Sequence, residues 1–461
     1  SSNLPNPIHT YETPGIYTVM LTVSGSGGND AEIKTDYIVV YEAAIADFSA
    51  DTFSGIAPYT ISFTDQSVGD YDTWWWDFGD GNTGVEASPQ HQYISPGIYT
   101  VSLTVSGNGG SNTETKTDYI TIYEPITVDF SAEPISGVAP TTVAFSSNIT
   151  GDYNSVGWDF GDGGTSEEVN PTYEYTTPGV YSVTLTATGA GGSDFETKMD
   201  YITVYAPVVA DFTASSTSGI APFEVTFLNQ STGSYTELLW NFGDGNTSSD
   251  TDPVHIYANK GIYTVTLTAS GPGGTDVETK TDYIIIYEEV VADFNADETS
   301  GIYPFTVNFS NLTTGDYTAL AWDFGDGGTS TDANPVHIYN DSGNFTVTLT
   351  ASGDGGTDQE EKIGYITVYT PVSILDFTAN QNTGIAPLEV TFTASIMGDY
   401  DAVVWDFGDD NTSTELTPTH IYLNQGTYTV SLTATGNGGS DSNIKTNYIT
   451  VYPLNRFIYL P

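Results

Sequence analysis

Apolar residues alternate with hydroxyls along Tyr181-Ser-Val183-Thr-Leu185-Thr-Ala187. A period of two puts every second side chain on one face of a half-buried strand. Shorter runs with the same period recur at Val143-Ala-Phe145, Val225-Thr-Phe227 and Val307-Asn-Phe309. No segment carries a sustained helical period with caps. Glycine pairs at Gly109-Gly110, Gly191-Gly192, Gly273-Gly274, Gly355-Gly356 and Gly438-Gly439 each follow the long strand and precede a polar stretch and another strand, which predicts hairpins. About seven short strands in roughly 80 residues, with turn signals between them, predict a two-sheet sandwich.

The pattern repeats. Trp76, Trp158, Trp240, Trp322 and Trp405 stand 82, 82, 82 and 83 residues apart, and Asp-Phe pairs at Asp47, Asp129, Asp211, Asp293 and Asp376 keep the same step. The chain therefore divides into units over 43–124, 125–206, 207–288, 289–370 and 371–453, preceded by residues 1–42, which match only the C-terminal half of a unit. Trp and Phe two apart point to one face and fill each sandwich, so the five tryptophans are the expected structural core. Linkers such as Glu-Ala-Ala-Ile-Ala and Ala-Pro-Val-Val-Ala are short, β-branched or apolar, and free of Gly and Ser, unlike flexible coils. Strands of about 25 Å plus turns imply roughly 35–45 Å per unit and a rod on the order of 200 Å. Half a sandwich cannot bury a core, so residues 1–42 are expected to belong to a longer array or to be completed by another chain. The apolar tail at 454–461 is long enough to add one strand to a neighbour.

Composition narrows the function. There are 59 Asp and Glu against 8 Lys and Arg, a net charge of −51, and no cysteine. Such a polyanion repels nucleic acid and anionic lipid, and no apolar run is long enough for a membrane span. Neither disulfides nor thiolate metal sites hold the fold.

The segment Trp76-Asp77-Phe78-Gly79-Asp80-Gly81, a following Pro-x-His-x-Tyr and Tyr99-Thr-Val101-Ser-Leu103-Thr-Val105 recur in order in every unit. Together they resemble the PKD (polycystic kidney disease) domain. Asn241, Asp410 and Tyr173 are small departures from that pattern. The resemblance implies an all-β fold of tandem immunoglobulin-like sandwiches, as found in extracellular stalks, surface layers and accessory parts of secreted hydrolases. It also implies weak Ca²⁺ candidates before the Trp strand at Asp70, Asp152, Asp316 and Asp399, with Ser234 in the third unit. One Asp plus carbonyls is thin for an ion that wants about six to eight oxygens, so no cofactor is expected beyond loosely bound Ca²⁺.

The recurring His positions, with Tyr173 substituting once, read as structural, and no nucleophile–base pair, phosphate loop or zinc signature is present. Lys34, Lys116, Lys198, Lys280, Lys362 and Lys445 share one repeat position, each with Tyr three residues on. They either neutralise local carboxylates or make interdomain or intersubunit contacts. Trp74-Trp75-Trp76 occurs once; alternation turns Trp75 outward, where it is a candidate for glycan stacking or a partner contact. Eight sequons, at Asn148, Asn229, Asn246, Asn308, Asn311, Asn340, Asn344 and Asn411, permit glycosylation outside a cell. The reading is a non-enzymatic extracellular structural array, a stalk, surface-layer or filament component that associates with itself or other surface proteins. The alternative is an adhesin or a glycan- or protein-binding accessory array.

Overall fold

The computed structural model describes residues 1–454. No described residue lies in a helix. The half unit contributes β1 (Gly15–Gly25) and β2 (Gly28–Val40). The first complete sandwich follows with β3 (Phe48–Ala50), β4 (Ser54–Ile56), β5 (Tyr59–Asp65), β6 (Thr73–Asp77), β7 (Thr83–Gly84), β8 (Gln90–Tyr93), β9 (Gly97–Gly107) and β10 (Gly110–Tyr123).

One sheet has the order β3-β5-β8 and the other β4-β10-β9-β6-β7, and the same pair of sheets recurs in the four later sandwiches. Each sandwich thus has eight strands where about seven were expected. The excess comes from pieces too short to show a period: three-residue β4, which runs parallel to the end of β10, and two-residue β7, which pairs with Trp76 and Asp77. The long strands carry a bulge after Lys116, where Asp118 takes a left-handed φ of 49°. Asp200, Asp282, Gly364 and Asn447 repeat that conformation, the residue types that tolerate it best.

Each sandwich closes its own core. Trp76 is fully buried between the sheets and meets Phe48 and Phe63 with ring centroids 5.2 and 5.6 Å away. Its indole N–H donates to Glu86 O at 2.9 Å, so a large apolar ring is buried without an orphaned donor. Trp158, Trp240, Trp322 and Trp405 repeat this bond to Glu168, Asp250, Asp332 and Glu415. The turn after Phe78 needs glycine: Gly79 has φ +82°, and a Cβ there would lie 2.3 Å from Thr100 O.

The β1–β2 hairpin pairs Gly15 with Val40 just as β9–β10 pairs Gly97 with Ile122, with a bulge at the equivalent place. Its inward-type residues have no second sheet over them: Leu21 is 64% exposed where Leu103 is 0%. The tail expected over 454–461 lies, beyond Leu454, outside the described residues.

Candidate functional site

The linkers are held more tightly than their composition alone implies. After β10 ends at Tyr123, the N–H of Glu124 donates to Asp152 Oδ2 at 2.6 Å, and the N–H of Asp152 returns a bond to Glu124 O at 3.1 Å. Asp70, Asp316 and Asp399 accept the N–H of Glu42, Glu288 and Thr370 in the same way, at 2.7, 2.6 and 2.6 Å. Ser234 Oγ accepts from Ala206 at 3.1 Å. A carboxylate accepting a backbone N–H is a charge-assisted bond. The four aspartates singled out for Ca²⁺ are therefore placed as linker clamps. Among the described residues no group of three or more His, Asp or Glu side chains is placed to hold a metal ion.

A second clamp was missed. Asn112, Asp194, Asp276, Asp358 and Asp441 accept the linker N–H of Ala46, Val128, Ala210, Ala292 and Ile374, at 2.9, 2.9, 2.8, 2.8 and 2.6 Å. The signal was an Asn or Asp two residues after each glycine pair. It was hidden because nothing local says which donor such a side chain meets 66 or 67 residues earlier.

The repeating lysines of the five complete units face inward onto their own sandwich. Lys116 Nζ stands 3.1 Å from Asp47 Oδ1, bonds the Phe48 carbonyl and lies over the Phe48 and Tyr119 rings at 4.7 and 5.4 Å. Lys198, Lys280, Lys362 and Lys445 pair likewise with Asp129, Asp211, Asp293 and Asp376, and Lys34 lies 4.8 Å over Tyr37. The tyrosine three residues on is thus a cation–π partner, and its hydroxyl donates or accepts nearby, as Tyr119 accepts the N–H of Ala50 at 3.1 Å. The histidines of the complete sandwiches sit on short strands, His91 on β8, and reach across to the turn after the Trp strand. His91 stacks on Phe78 at 4.1 Å and bonds Asp80 at 2.7 Å. Tyr173 takes the same place, stacked on Phe160 at 4.0 Å with its hydroxyl donating to Asp162 at 2.9 Å.

The lysine ammonium, and then the next residue's N–H, hold the carboxyls of Asp47, Asp129, Asp211 and Asp376 below the ordinary value of 3.8. A depressed folded-state pKa stabilises the fold fully above 3.8, and that share is lost as the pH falls through 3.8 to the folded value. Acid also relieves the mutual repulsion of the other carboxylates, so the comparison of two proteins is decisive. Lys198→Met is expected to lower the thermal midpoint of its sandwich at pH 7, and the deficit should shrink below pH 3.8. A deficit unchanged down to pH 2 would contradict the pairing.

Trp75 projects from β6 on the outer face of the five-stranded sheet and is 48% exposed. Its neighbour Trp74 turns inward and donates to Asp65 at 2.6 Å, together with Tyr71 at 2.8 Å. Among the sequons, Asn148, Asn246, Asn308, Asn340, Asn344 and Asn411 are exposed, while Asn229 and Asn311 are half-buried. Asn311 spends its amide on the Tyr317 hydroxyl at 2.9 Å.

Paired three- and five-stranded sheets around a buried Trp define an immunoglobulin-like sandwich, here in tandem. The chain belongs to the PKD domain family, whose model matches residues 43–122, 127–204, 205–286, 289–368 and 371–451. It is 24% identical to human polycystin-1 over 464 residues, 95% of this chain and 10% of that protein. It is 35% identical to the Bacillus cereus collagenase ColA over 106 residues, 22% of this chain and 11% of that protein. The chain spans about a tenth of the length of these curated relatives. Among solved structures, it is similar to the eight N-terminal Ig domains of DSCAM, at 12% identity and TM-score 0.39 over 95% of this chain and 64% of that one. It is also similar to the titin fragment I67–I69, at 15% identity and TM-score 0.40 over 53% of this chain and 98% of that one.

Proposed function

We propose that this chain is a structural spacer of an extracellular or cell-surface protein, a rod-like stalk, surface-layer or filament component with no catalytic role. The observation that carries the reading is the doubly clamped linker, repeated at each of the five sandwiches. Linkers without Gly or Ser, pinned by hydrogen bonds to the sandwich that follows, favour a spacer over domains on free tethers. Polycystin-1 and the collagenases carry stretches similar to this one. Among the described residues no helix is long and apolar enough to cross a membrane. Immunogold electron microscopy of source cells with an antibody to this chain tests the proposal. Label on surface fibres or a surface lattice is expected, and label confined to the cell interior would contradict it.

A further inference from the structure

In a chain carrying −51, one face of the first sandwich is almost free of charge. The outward side chains of β6, β9 and β10 lie in cross-strand rows, and the central row is Trp75, Thr104 and Thr113. The row on one side holds Thr73 and Ser106 with Ser111, and the row on the other Ser102 and Thr115. The one acidic side chain in these rows is Asp77, half-buried, with Oδ1 accepting the N–H of Gly79 at 3.0 Å. The acidic residues of this sandwich lie mainly at its turns and ends, so the bare face is a pattern and not an average.

Three features of the face point to one ligand chemistry. The exposed indole of Trp75 offers a flat apolar surface, and its ring N–H has no partner among the described residues. Beside it the Thr104 and Thr113 hydroxyls bond each other at 2.8 Å, which uses one of their two protons and leaves the other to donate. The equivalent rows of other sandwiches are recessed where the residue at the Trp75 position is small. At Gly157 a groove of about 470 Å³ is lined by Ser155, Thr186 and Thr188, and at Ala321 one of about 640 Å³ by Thr329, Thr348 and Gln359.

We propose that this face binds an uncharged polysaccharide, with a sugar ring stacked on Trp75 and its hydroxyls bonded to the Thr104–Thr113 pair. A pyranose presents an apolar C–H face and a rim of hydroxyls, which matches an indole set in a row of threonines. An anionic glycan is repelled by the surrounding carboxylates, and a cationic ligand gains most at the acidic turns, away from this face. A neutral hydroxyl-rich polymer is the ligand that loses nothing by approaching here. This binding goes beyond the spacer role and stands or falls without it.

The test is affinity electrophoresis of the full chain through gels containing a neutral soluble β-glucan, xylan or galactomannan, with alginate as the anionic control. Retardation is expected in at least one neutral gel and not in alginate, and it should persist at 0.5 M NaCl. Trp75→Ala should weaken retardation about tenfold, the effect of losing one stacked aromatic. Trp75→Leu, which places the side chain found at 239 on the same position, should do likewise at an unchanged thermal midpoint, and Trp75→Tyr should restore most of the binding. No retardation in any neutral gel, or equal retardation of the Trp75→Ala and Trp75→Leu proteins, would overturn the proposal.

Discussion

Replacing Trp322 with alanine is expected to unfold the sandwich of residues 289–370 near room temperature and to leave the other four intact. The ring is buried against Phe294, Phe309 and Phe324, at 5.2, 5.6 and 6.2 Å, and its N–H satisfies Asp332 O at 3.0 Å. Deleting a buried Trp costs about 3–5 kcal/mol, and stranding the carbonyl adds about 1 kcal/mol if water does not reach it. A domain of this size holds only about 4–12 kcal/mol in total. The five cores are separate clusters of side chains, so the loss stays local, as in repeat proteins with independent units. Calorimetry should show about a fifth of the unfolding enthalpy moving to low temperature. A uniform shift of the whole transition would contradict independent cores.

Gly151→Ala is expected to spring the linker between Tyr123 and Val128. Gly151 has φ +91°, and a Cβ on it would lie 2.3 Å from Pro125 O and 2.9 Å from Ile126 Cα. The strain of a left-handed alanine costs about 1–2 kcal/mol, and the backbone cannot move aside without breaking the paired bonds between Asp152 and Glu124. The total is about 2–4 kcal/mol, against about 1–2 kcal/mol for Asp152→Ala, which removes one acceptor. Limited proteolysis should cut Gly151→Ala fastest at 124–127 and the parent slowest. Equal protection of all three would show that the clamp does not hold the linker.

The fold was legible because its signals are periodic. Alternation marks the long strands, and the tryptophan spacing marks the units, independently of any distant contact. The small strands β4 and β7 escaped because three and two residues hold no period, and their pairing is decided by tertiary placement. Composition set the linkers apart from flexible coils, but the bonds that hold them to the following sandwich were not legible. Asp152 looks like one more surface carboxylate until folding brings the N–H of Glu124, 28 residues earlier, to 2.6 Å. The lysines show the same limit: spacing revealed a shared position and the tyrosine three residues on, whereas the partner Asp47 lies 69 residues before Lys116. Trp75 was readable as outward-facing. The uncharged rows around it emerge only when β9 and β10 are set beside β6.

Pulling single molecules by their ends tests most directly whether the chain is an array of five separately folded sandwiches. Five unfolding peaks of similar force are expected. Each should lengthen the chain by on the order of 250 Å, because each matched segment of about 80 residues extends at ~3.3–3.6 Å per residue. The β1–β2 hairpin should add no peak of comparable force. One cooperative rupture of the whole chain, or extension without peaks, would contradict it.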